Sequence, residues 1–382
     1  MIEKVKCTGC MACLQSCPKS CIHIEQDHLG NLYPCILKTS CVNCGKCEQV
    51  CPELTPLTKQ LPQHAWAAWS LDPETRGAAS SGGAASEFYR QALKDGWWIC
   101  GVVWRPDWET IHVLSKSSSD IGRFQQSKYV FSDSSHIYCE VAKLLKSGEH
   151  VLFISLPCKV AGLLAFLGGE HKNLLTVDLV CHGTPPQQIL KEHINKMDPN
   201  HQATGLTFRT DNTFAFHLKK GSKTIYQKVG HTDTYLASFL EGLIYHPSCY
   251  QCNYAENMRV SDLTICDFWG LGVNIPFNHP YTGSISAVLT NTVAGQVFWN
   301  RCKLAFFFEE RPIQEALSGN AQLNYPTPAH PKRLLFERLY KQYGFEKAAS
   351  HILMKKMVLE QMKLLQSTFC RKLYHVIKFF IK

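Results

Sequence analysis

Eight cysteines near the start of the chain form a repeat whose spacing could bind iron–sulfur clusters. Two C-x2-C-x2-C-x3-C-P runs lie 34 positions apart, at Cys7, Cys10, Cys13 and Cys17, and at Cys41, Cys44, Cys47 and Cys51. In such a run, three thiolates wrap one [4Fe-4S] cubane and the fourth cysteine ligates the other cluster. The expected ligand sets are Cys7, Cys10, Cys13 and Cys51 for one cluster, and Cys41, Cys44, Cys47 and Cys17 for the other.

A pair of zinc knuckles is the alternative for this repeat. Tetrahedral zinc sites commonly use two C-x2-C pairs and do not need a fourth Cys-Pro twice, so the spacing favours two [4Fe-4S] clusters. The segment resembles the two-cluster bacterial ferredoxin module, which implies that it conducts single electrons. Cys21 and Cys35 fall outside the pattern and are expected to be packing residues.

Four later cysteines could hold a third cluster. Cys158 and Cys181 each follow a predicted strand, and ligands gather beyond the carboxyl ends of strands in open α/β sheets. The pair Cys249 and Cys252 could fold over the same site. Two alternatives remain open: Cys158 and Cys181 could simply be buried cysteines, and Cys266 could replace one of the four as a ligand.

A glycine turn and a lysine are candidates for binding a flavin. The turn precedes a predicted helix and consists of Ser80, Ser81, Gly82 and Gly83. Glycine lets backbone amides approach an anion, and a helix N-terminus favours negative charge. A flavin is the expected cofactor, because iron–sulfur electron delivery needs an acceptor and a flavin converts single electrons into hydride transfer. The turn could equally be an ordinary capped turn, and Lys128, the candidate phosphate partner, could be a solvated lysine.

His182 directly follows Cys181 and is the candidate catalytic residue, as a proton donor or flavin contact. It could also do no more than hydrogen-bond its own loop. The sequence contains no Ser-His-Asp set, no G-x-G-x-x-G loop and no Walker loop, which argues against hydrolysis, standard nicotinamide binding and nucleotide-driven work.

The elements that must position these residues alternate between strand and helix after residue 64. Apolar strand patterns at 151–155 and 174–180 are each followed by a helical pattern, which predicts parallel strands with crossover helices. Residues 205–229 read instead as an antiparallel insertion. We therefore predict a small ferredoxin-like α+β domain at 1–60, an α/β catalytic domain with a mixed sheet at 61–330, and a helical tail at 331–382.

The net charge of +9 belongs to that tail. Residues 331–382 contain 12 basic and three acidic side chains, whereas the other 330 residues balance at 28 of each. A basic nucleic-acid-binding face on the folded domain is thus disfavoured, and no nucleic-acid partner is expected. The apolar positions of the tail have helical spacing, typical of a basic amphipathic helix on an anionic membrane; packing on the core or a partner is the alternative.

Several motifs in order along residues 1–300 resemble the coenzyme F420 hydrogenase/dehydrogenase beta-subunit family behind a ferredoxin module. They are the 80–83 turn and the segments 127–130, 156–162, 177–183, 247–252 and 267–270. The resemblance implies FAD near the turn and Lys128, and a cluster held by Cys158, Cys181, Cys249 and Cys252. The family pattern usually has glycine where Cys266 stands. Either this thiol is incidental, or one of the four proposed ligands is wrong.

The resulting prediction is a cytoplasmic oxidoreductase that passes electrons between clusters and FAD. Its tail is the candidate for peripheral contact with the inner face of the membrane. The redox partner of the oxidoreductase is a protein or a small hydride donor or acceptor. The resemblance implies the deazaflavin coenzyme F420 or, in a bacterium, a metabolite of surface-polysaccharide synthesis. The alternatives are an electron-transfer subunit that serves a partner enzyme, and a polysaccharide-pathway protein whose clusters are structural. The sequence leaves the oligomeric state open.

Overall fold

A computed structural model describes residues 2–210 and 213–380, with side chains as far as residue 366. The helices are α1 Ala12–Ser16, α2 Lys46–Gln49, α3 Pro73–Ala78, α4 Ala84–Lys94, α5 Ile121–Phe124, α6 Ile137–Lys146, α7 Pro157–Leu167, α8 Gln187–Met197, α9 Thr234–Leu240, α10 Val293–Cys302, α11 Ile313–Gly319 and α12 Arg333–Phe380. The strands are β1 Ile22–Gln26, β2 Leu32–Ile36, β3 His64–Ser70, β4 Trp98–Trp104, β5 Thr110–Ser115, β6 Ser132–Asp133, β7 Val151–Ser155, β8 Leu174–Leu179, β9 Gly205–Thr210, β10 Thr213–Lys220, β11 Lys223–Val229, β12 Leu263–Asp267, β13 Ser286–Thr290 and β14 Phe306–Arg311.

A mixed nine-stranded sheet forms the centre of the first compact unit, which comprises residues 1–187 and 245–328. Its strand order is β14-β3-β13-β12-β8-β7-β4-β5-β6. The four central strands run parallel, and antiparallel strands flank them. Every residue of β7 is buried, as expected for a parallel strand covered on both faces. The predicted α/β domain with a mixed sheet is confirmed.

The carboxyl ends of β7 and β8 lie side by side. Ser155 pairs with Asp178 in parallel register, so the chain leaves both strands at the same edge of the sheet. Cys158 enters α7 just after β7, and Cys181 lies in the loop after β8. The topology therefore brings the two thiols to one edge.

The Cys-rich segment is a small α+β module within the same unit, as predicted. Strands β1 and β2 form an antiparallel hairpin in which Ile22 pairs with Ile36. The short helices α1 and α2 begin within the two C-x2-C-x2-C runs and contain their third cysteines, Cys13 and Cys47. The hairpin was not among the predicted strands, because nothing in the cysteine pattern marks it.

The second compact unit comprises residues 188–244 and 329–382. It contains a three-stranded antiparallel sheet in the order β11-β10-β9, as the insertion pattern predicted. Helix α12 is divided at Gly344, whose φ is 73° and ψ 179°. The side chains of Phe336, Phe345 and Leu353 are buried, so the first part of the predicted tail packs within this unit.

These units divide the chain differently from the predicted ranges 1–60, 61–330 and 331–382. The Cys-rich segment belongs to the first unit, and the tail groups with the antiparallel insertion. The reason is packing: Ser134 Oγ donates to the carbonyl oxygen of Cys10 at 2.9 Å, and Phe345 is buried in the second unit. Among the described residues, no helix is both long and apolar enough to span a bilayer.

Candidate functional site

The two cysteine runs adopt a repeated backbone conformation. Gly9 and Met11 have φ values of 63° and 66°, and Asn43 and Gly45, 34 positions later, have 52° and 73°. All four are in the left-handed region that favours glycine and asparagine. The turns aim amides at the first thiol of each run: the Asn43 amide donates to Cys41 Sγ at 3.4 Å. The same turn is thus built twice.

One cavity collects the first predicted ligand set. Cys7, Cys10, Cys13 and Cys51 line it together with Cys47. Burial raises the pKa of the Cys7 thiol to about 12, and the nearby thiols of Cys10 and Cys51 also raise it. A hydrogen bond from the Gly9 amide lowers this pKa, but by less. Coordination to a metal deprotonates a thiol outright, so this apolar site fits thiolates only when they hold a cationic centre.

A second cavity collects the other set. Its lining includes Cys17, Cys41, Cys44, Cys47 and Cys21. Each cavity thus contains three thiols of one run and the predicted fourth thiol of the other run, which is the donor set that interleaved cubanes need. Cys47 lines both cavities. Among the described residues, no three His, Cys, Asp or Glu side chains converge on a single metal ion; in a cubane, the four thiolates bind four different iron atoms.

Cys21, expected to be a packing residue, lies against a predicted ligand. Its Sγ is 3.3 Å from Cys17 Sγ. Burial raises the pKa of Cys17, but hydrogen bonds from the amide and thiol of Cys21 outweigh it and lower the pKa overall. The pKa of Cys21 itself is raised to about 11, first by its hydrogen bond with Cys17. Cys17 is therefore the more acidic thiol of the pair, and a thiolate is the form that binds iron.

The four later cysteines converge at the edge of the sheet. Burial raises the pKa of Cys158, and the neighbouring thiols of Cys252, Cys181 and Cys249 raise it further. Burial also raises the pKa of Cys181, with Cys249 and Cys252 acting in the same direction. The pKa of Cys252 is raised to about 11, and burial is again the largest cause. The structure therefore brings together the four residues expected to hold a third cluster.

Cys266 lies in a different environment. Burial raises the pKa of its thiol, and the charged groups that act on it are Asp267, Arg259 and Asp178. Its side chain packs with Val180 against an apolar cluster that includes Leu289. Cys266 therefore packs in the core beside the sheet, as a small hydrophobic residue would.

Arg259 holds the segment that carries Cys249 and Cys252, a role that the sequence analysis missed. The guanidinium is buried and donates to the carbonyl oxygens of Tyr254 at 2.9 Å and Glu256 at 3.0 Å. Its Nε donates to Thr264 Oγ1 at 3.2 Å, which ties the segment to β12. No local motif marks such a residue, because all its partners depend on the fold.

The glycine turn is fixed between β3 and β13. The Gly82 amide donates to Ser286 Oγ at 2.9 Å, and its carbonyl accepts from the Ser70 amide at 2.7 Å. A Cβ at Gly82 would lie 2.3 Å from the Ala68 carbonyl oxygen, so only glycine fits. Helix α4 then begins after Gly83 without a side-chain cap. Its first-turn amides therefore fit an anionic group such as a flavin phosphate.

Lys128 lies beside this turn. The Ser127 amide donates to Ser80 Oγ at 2.7 Å, which brings the two segments together. Lys128 Nζ donates to the carbonyl oxygens of Gln125 at 3.0 Å and Gln126 at 3.4 Å. Burial lowers its pKa to about 7, although the residue as a whole is only half-buried. Lys128 is thus a partly desolvated cation next to the turn rather than a solvated surface lysine.

His182, the predicted catalytic residue, is exposed in the loop after Cys181. Its carbonyl oxygen accepts a hydrogen bond from Thr327 Oγ1 at 2.8 Å. This contact fixes the backbone of the loop.

Comparison with known proteins identifies the family. Residues 65–138 match the N-terminal model, and residues 148–316 the C-terminal model, of the coenzyme F420 hydrogenase/dehydrogenase beta subunit. Residues 6–54 match a 4Fe-4S dicluster domain, so iron–sulfur electron transfer is part of the chain's chemistry. No curated protein matches the chain.

Among solved structures, one chain from the F420-reducing [NiFe] hydrogenase complex of Methanosarcina barkeri is similar. The sequences are 17% identical, the match covers 78% of this chain and 92% of that one, and the TM-score is 0.48. The two subunit models together span residues 65–316. The chain therefore belongs to the coenzyme F420 hydrogenase/dehydrogenase beta-subunit family of oxidoreductases and carries an iron–sulfur dicluster domain in front.

Proposed function

We propose that this protein is an iron–sulfur flavoprotein that passes electrons among three [4Fe-4S] clusters and FAD for hydride transfer. The observation that carries the proposal is the convergence of Cys158, Cys181, Cys249 and Cys252 at the sheet edge. Four thiols at one site are the donor set of a cubane. The proposed ligand sets in the dicluster domain are Cys7, Cys10, Cys13 and Cys51, and Cys17, Cys41, Cys44 and Cys47.

The dicluster module contacts the segment that carries two of the third cluster's ligands. Asn253 Nδ2 donates to Glu53 Oε2 at 2.7 Å, and Gln251 Nε2 donates to the Val5 carbonyl oxygen at 3.0 Å. These contacts bind the module beside Cys252. They support a continuous route for single electrons from the dicluster module to the third cluster.

The proposed flavin site comprises Ser80, Ser81, Gly82, Gly83 and Lys128. Bound FAD would supply the conversion between one-electron and hydride chemistry. The chain's own contribution is the uncapped N-terminus of α4 and the Lys128 ammonium, two positive groups suited to a phosphate. His182 is the proposed proton donor or flavin contact, since it adjoins the ligand Cys181.

The proposed reaction partner is the deazaflavin coenzyme F420 or, in a bacterium, a metabolite of surface-polysaccharide synthesis. The test uses anaerobically purified protein reconstituted with FAD and reduced with dithionite. Reoxidation of its flavin absorbance is followed with coenzyme F420, nicotinamides and activated sugars. Stoichiometric hydride transfer to one of them supports the proposal. Reoxidation only by protein electron acceptors would instead identify an electron-transfer subunit serving a partner enzyme.

FAD binding is tested with Lys128 variants. We expect Lys128→Met to weaken FAD retention by about tenfold, since a charged phosphate contact contributes about 1.5 kcal/mol or more. Lys128→Arg keeps the charge and should retain most of the flavin. Lys116→Met is the control, because Lys116 is exposed and pairs with Glu149 at 2.9 Å. Equal flavin content in all variants would remove Lys128 from the site.

We also propose that the protein is cytoplasmic and that α12 touches the inner face of the membrane. Met354, Val358 and Leu365 lie on one face of the helix and are exposed, while Lys356 on another face donates to Glu241. Changing all three apolar residues to serine should abolish binding to vesicles of anionic lipid. Leu334→Ser, also exposed, is the control. Unchanged vesicle binding by the triple variant rejects this contact.

A further inference from the structure

A completely buried lysine lies between two of the cysteine sets. Lys159 is 1% exposed. Its Nζ donates to the carbonyl oxygen of Gly9 at 2.6 Å and lies 4.1 Å from the centroid of the Phe131 ring. Neither the cysteine motifs nor the flavin site uses this residue.

Lys159 connects two cluster-binding segments. Lys159 follows Cys158 directly, and Gly9 lies between Cys7 and Cys10. Helix α7 also packs tightly on the dicluster module: a Cβ at Gly162 would lie 2.8 Å from Cys10 Cβ and 3.1 Å from its Sγ. The side chain therefore spans the contact between the set that includes Cys158 and the set that includes Cys10.

The contacts of Lys159 stabilise its charge without neutralising it. A carbonyl oxygen and an aromatic face are dipolar partners, and burying a cation without an anion is costly. The carboxylate of Asp133 favours the charged form of Lys159 through space, but its oxygens are hydrogen-bonded to the amide and hydroxyl of Ser135, both at 2.9 Å. An oxidised cubane with four thiolates carries a charge of about −2, so a cluster on either side would supply further counter-charge.

We propose that Lys159 is the shared counter-cation of two clusters, the one held by Cys7, Cys10, Cys13 and Cys51 and the one held by Cys158, Cys181, Cys249 and Cys252. This inference rests on the proposed third cluster. Each reduction adds one electron, and hence one negative charge, to a cluster. A fixed positive charge nearby stabilises the reduced form, and the low dielectric of the interior strengthens that effect. Lys159 is thus a positioning residue that raises the reduction potentials of both clusters.

The experiment is an anaerobic redox titration followed by EPR on the reconstituted holoprotein. In Lys159→Met, the reduced-to-oxidised ratio at a fixed potential should fall at least tenfold, a shift of about 59 mV for a one-electron couple, for these two clusters. The cluster held by Cys17, Cys41, Cys44 and Cys47 should not shift. Lys159→Gln, which keeps a donor for Gly9 and loses the charge, should behave alike and replaces the Met variant if that one fails to fold.

The control is Lys46→Met, an exposed lysine beside the second cavity. Water and salt screen its charge, so all three ratios should change less than about threefold. No shift in the Lys159 variants, or an equal shift of all three clusters, overturns the inference. Iron analysis separates this failure from that of the proposed function. A content of about eight iron atoms per wild-type chain would show that there is no third cluster, whereas about twelve iron atoms with no shift in the ratios would reject only the role of Lys159.

Discussion

Arg259 and Asp178 form a buried ion pair, in which Nη2 donates to Oδ1 at 2.7 Å and the side chains are 1% and 0% exposed. Asp178 belongs to β8, three residues before Cys181. Arg259 also binds the carbonyl oxygens of Tyr254 and Glu256, just beyond Cys252. The pair therefore fixes the strand that leads to one proposed cluster ligand to the segment that carries two others.

Removal of one partner should be costly. Arg259→Met leaves the Asp178 carboxylate buried and unpaired, so we expect a loss of about 3–5 kcal/mol in the free energy of unfolding. The double variant Arg259→Met with Asp178→Leu should recover much of that loss, because neither charge remains. Denaturant unfolding of four proteins, the wild type, the two single variants and the double variant, measures this cycle. Additive effects of the two substitutions would show that the charges do not interact.

The proposed third cluster predicts that substitutions of Cys158 and of Cys266 have different effects on the iron content. Cys158→Ala should lower the iron content from about twelve to about eight atoms per chain, because it removes a ligand of one cubane. Cys266→Ala should keep about twelve, since its thiol packs with Val180 in the core. Anaerobic iron and sulfide analysis with EPR measures both. Iron loss in the Cys266 variant alone would make Cys266 the cluster ligand and Cys158 the packing residue.

Cys17 and Cys21 allow a similar test within the dicluster module. The hydrogen bonds from Cys21 favour the thiolate of Cys17, so Cys17→Ala should lose about four iron atoms. Cys21→Ala removes the hydrogen bonds of its thiol with Cys17 and Cys41 and should retain the cluster with an altered reduction potential. Equal iron loss in both variants would contradict the assignment of Cys17 as the ligand.

The second unit should lose stability at alkaline pH through His193. Its Nε2 lies 3.0 Å from Asp233 Oδ2 and its Nδ1 2.5 Å from Glu346 Oε1, and Tyr226 donates to the same Asp233 oxygen at 2.9 Å. Burial alone would lower the pKa of His193, but the two carboxylates raise it to about 9, from an ordinary value of 6.5. The protonated imidazole joins α8, the start of α9 and α12.

Because the folded pKa is raised, the stabilisation is fully present below pH 6.5 and is lost as the pH rises through about 9. Hydrogen exchange in α9 should therefore accelerate between these values. His193→Gln should be less stable at pH 6 and should show a flatter dependence over this window. Parallel pH profiles of the two proteins would assign the alkaline loss to other groups.

The cysteine chemistry was readable from the sequence because it depends on short spacings. Cys7, Cys10 and Cys13 lie within one short segment, and the repeat that begins at Cys41 predicts the same local structure a second time. The strand and helix alternation around residues 151–180 was equally readable, because it depends on local hydrophobic periodicity. Even so, the spacing alone predicts a packing residue at Cys21, since its contact with Cys17 depends on how the hairpin β1–β2 begins.

Only the tertiary structure decided which distant residues support those sites. Lys159 donates a hydrogen bond to Gly9, 150 positions away in the sequence, and Arg259 donates one to Asp178, 81 positions away. In the sequence, a lysine after a cysteine or an arginine in a loop looks like a solvated side chain, because charge is normally exposed. Burial and a partner arise only when the sheet edge closes on the dicluster module. Local spacing thus determined the chemistry of this protein, and long-range packing decided which buried charges surround it.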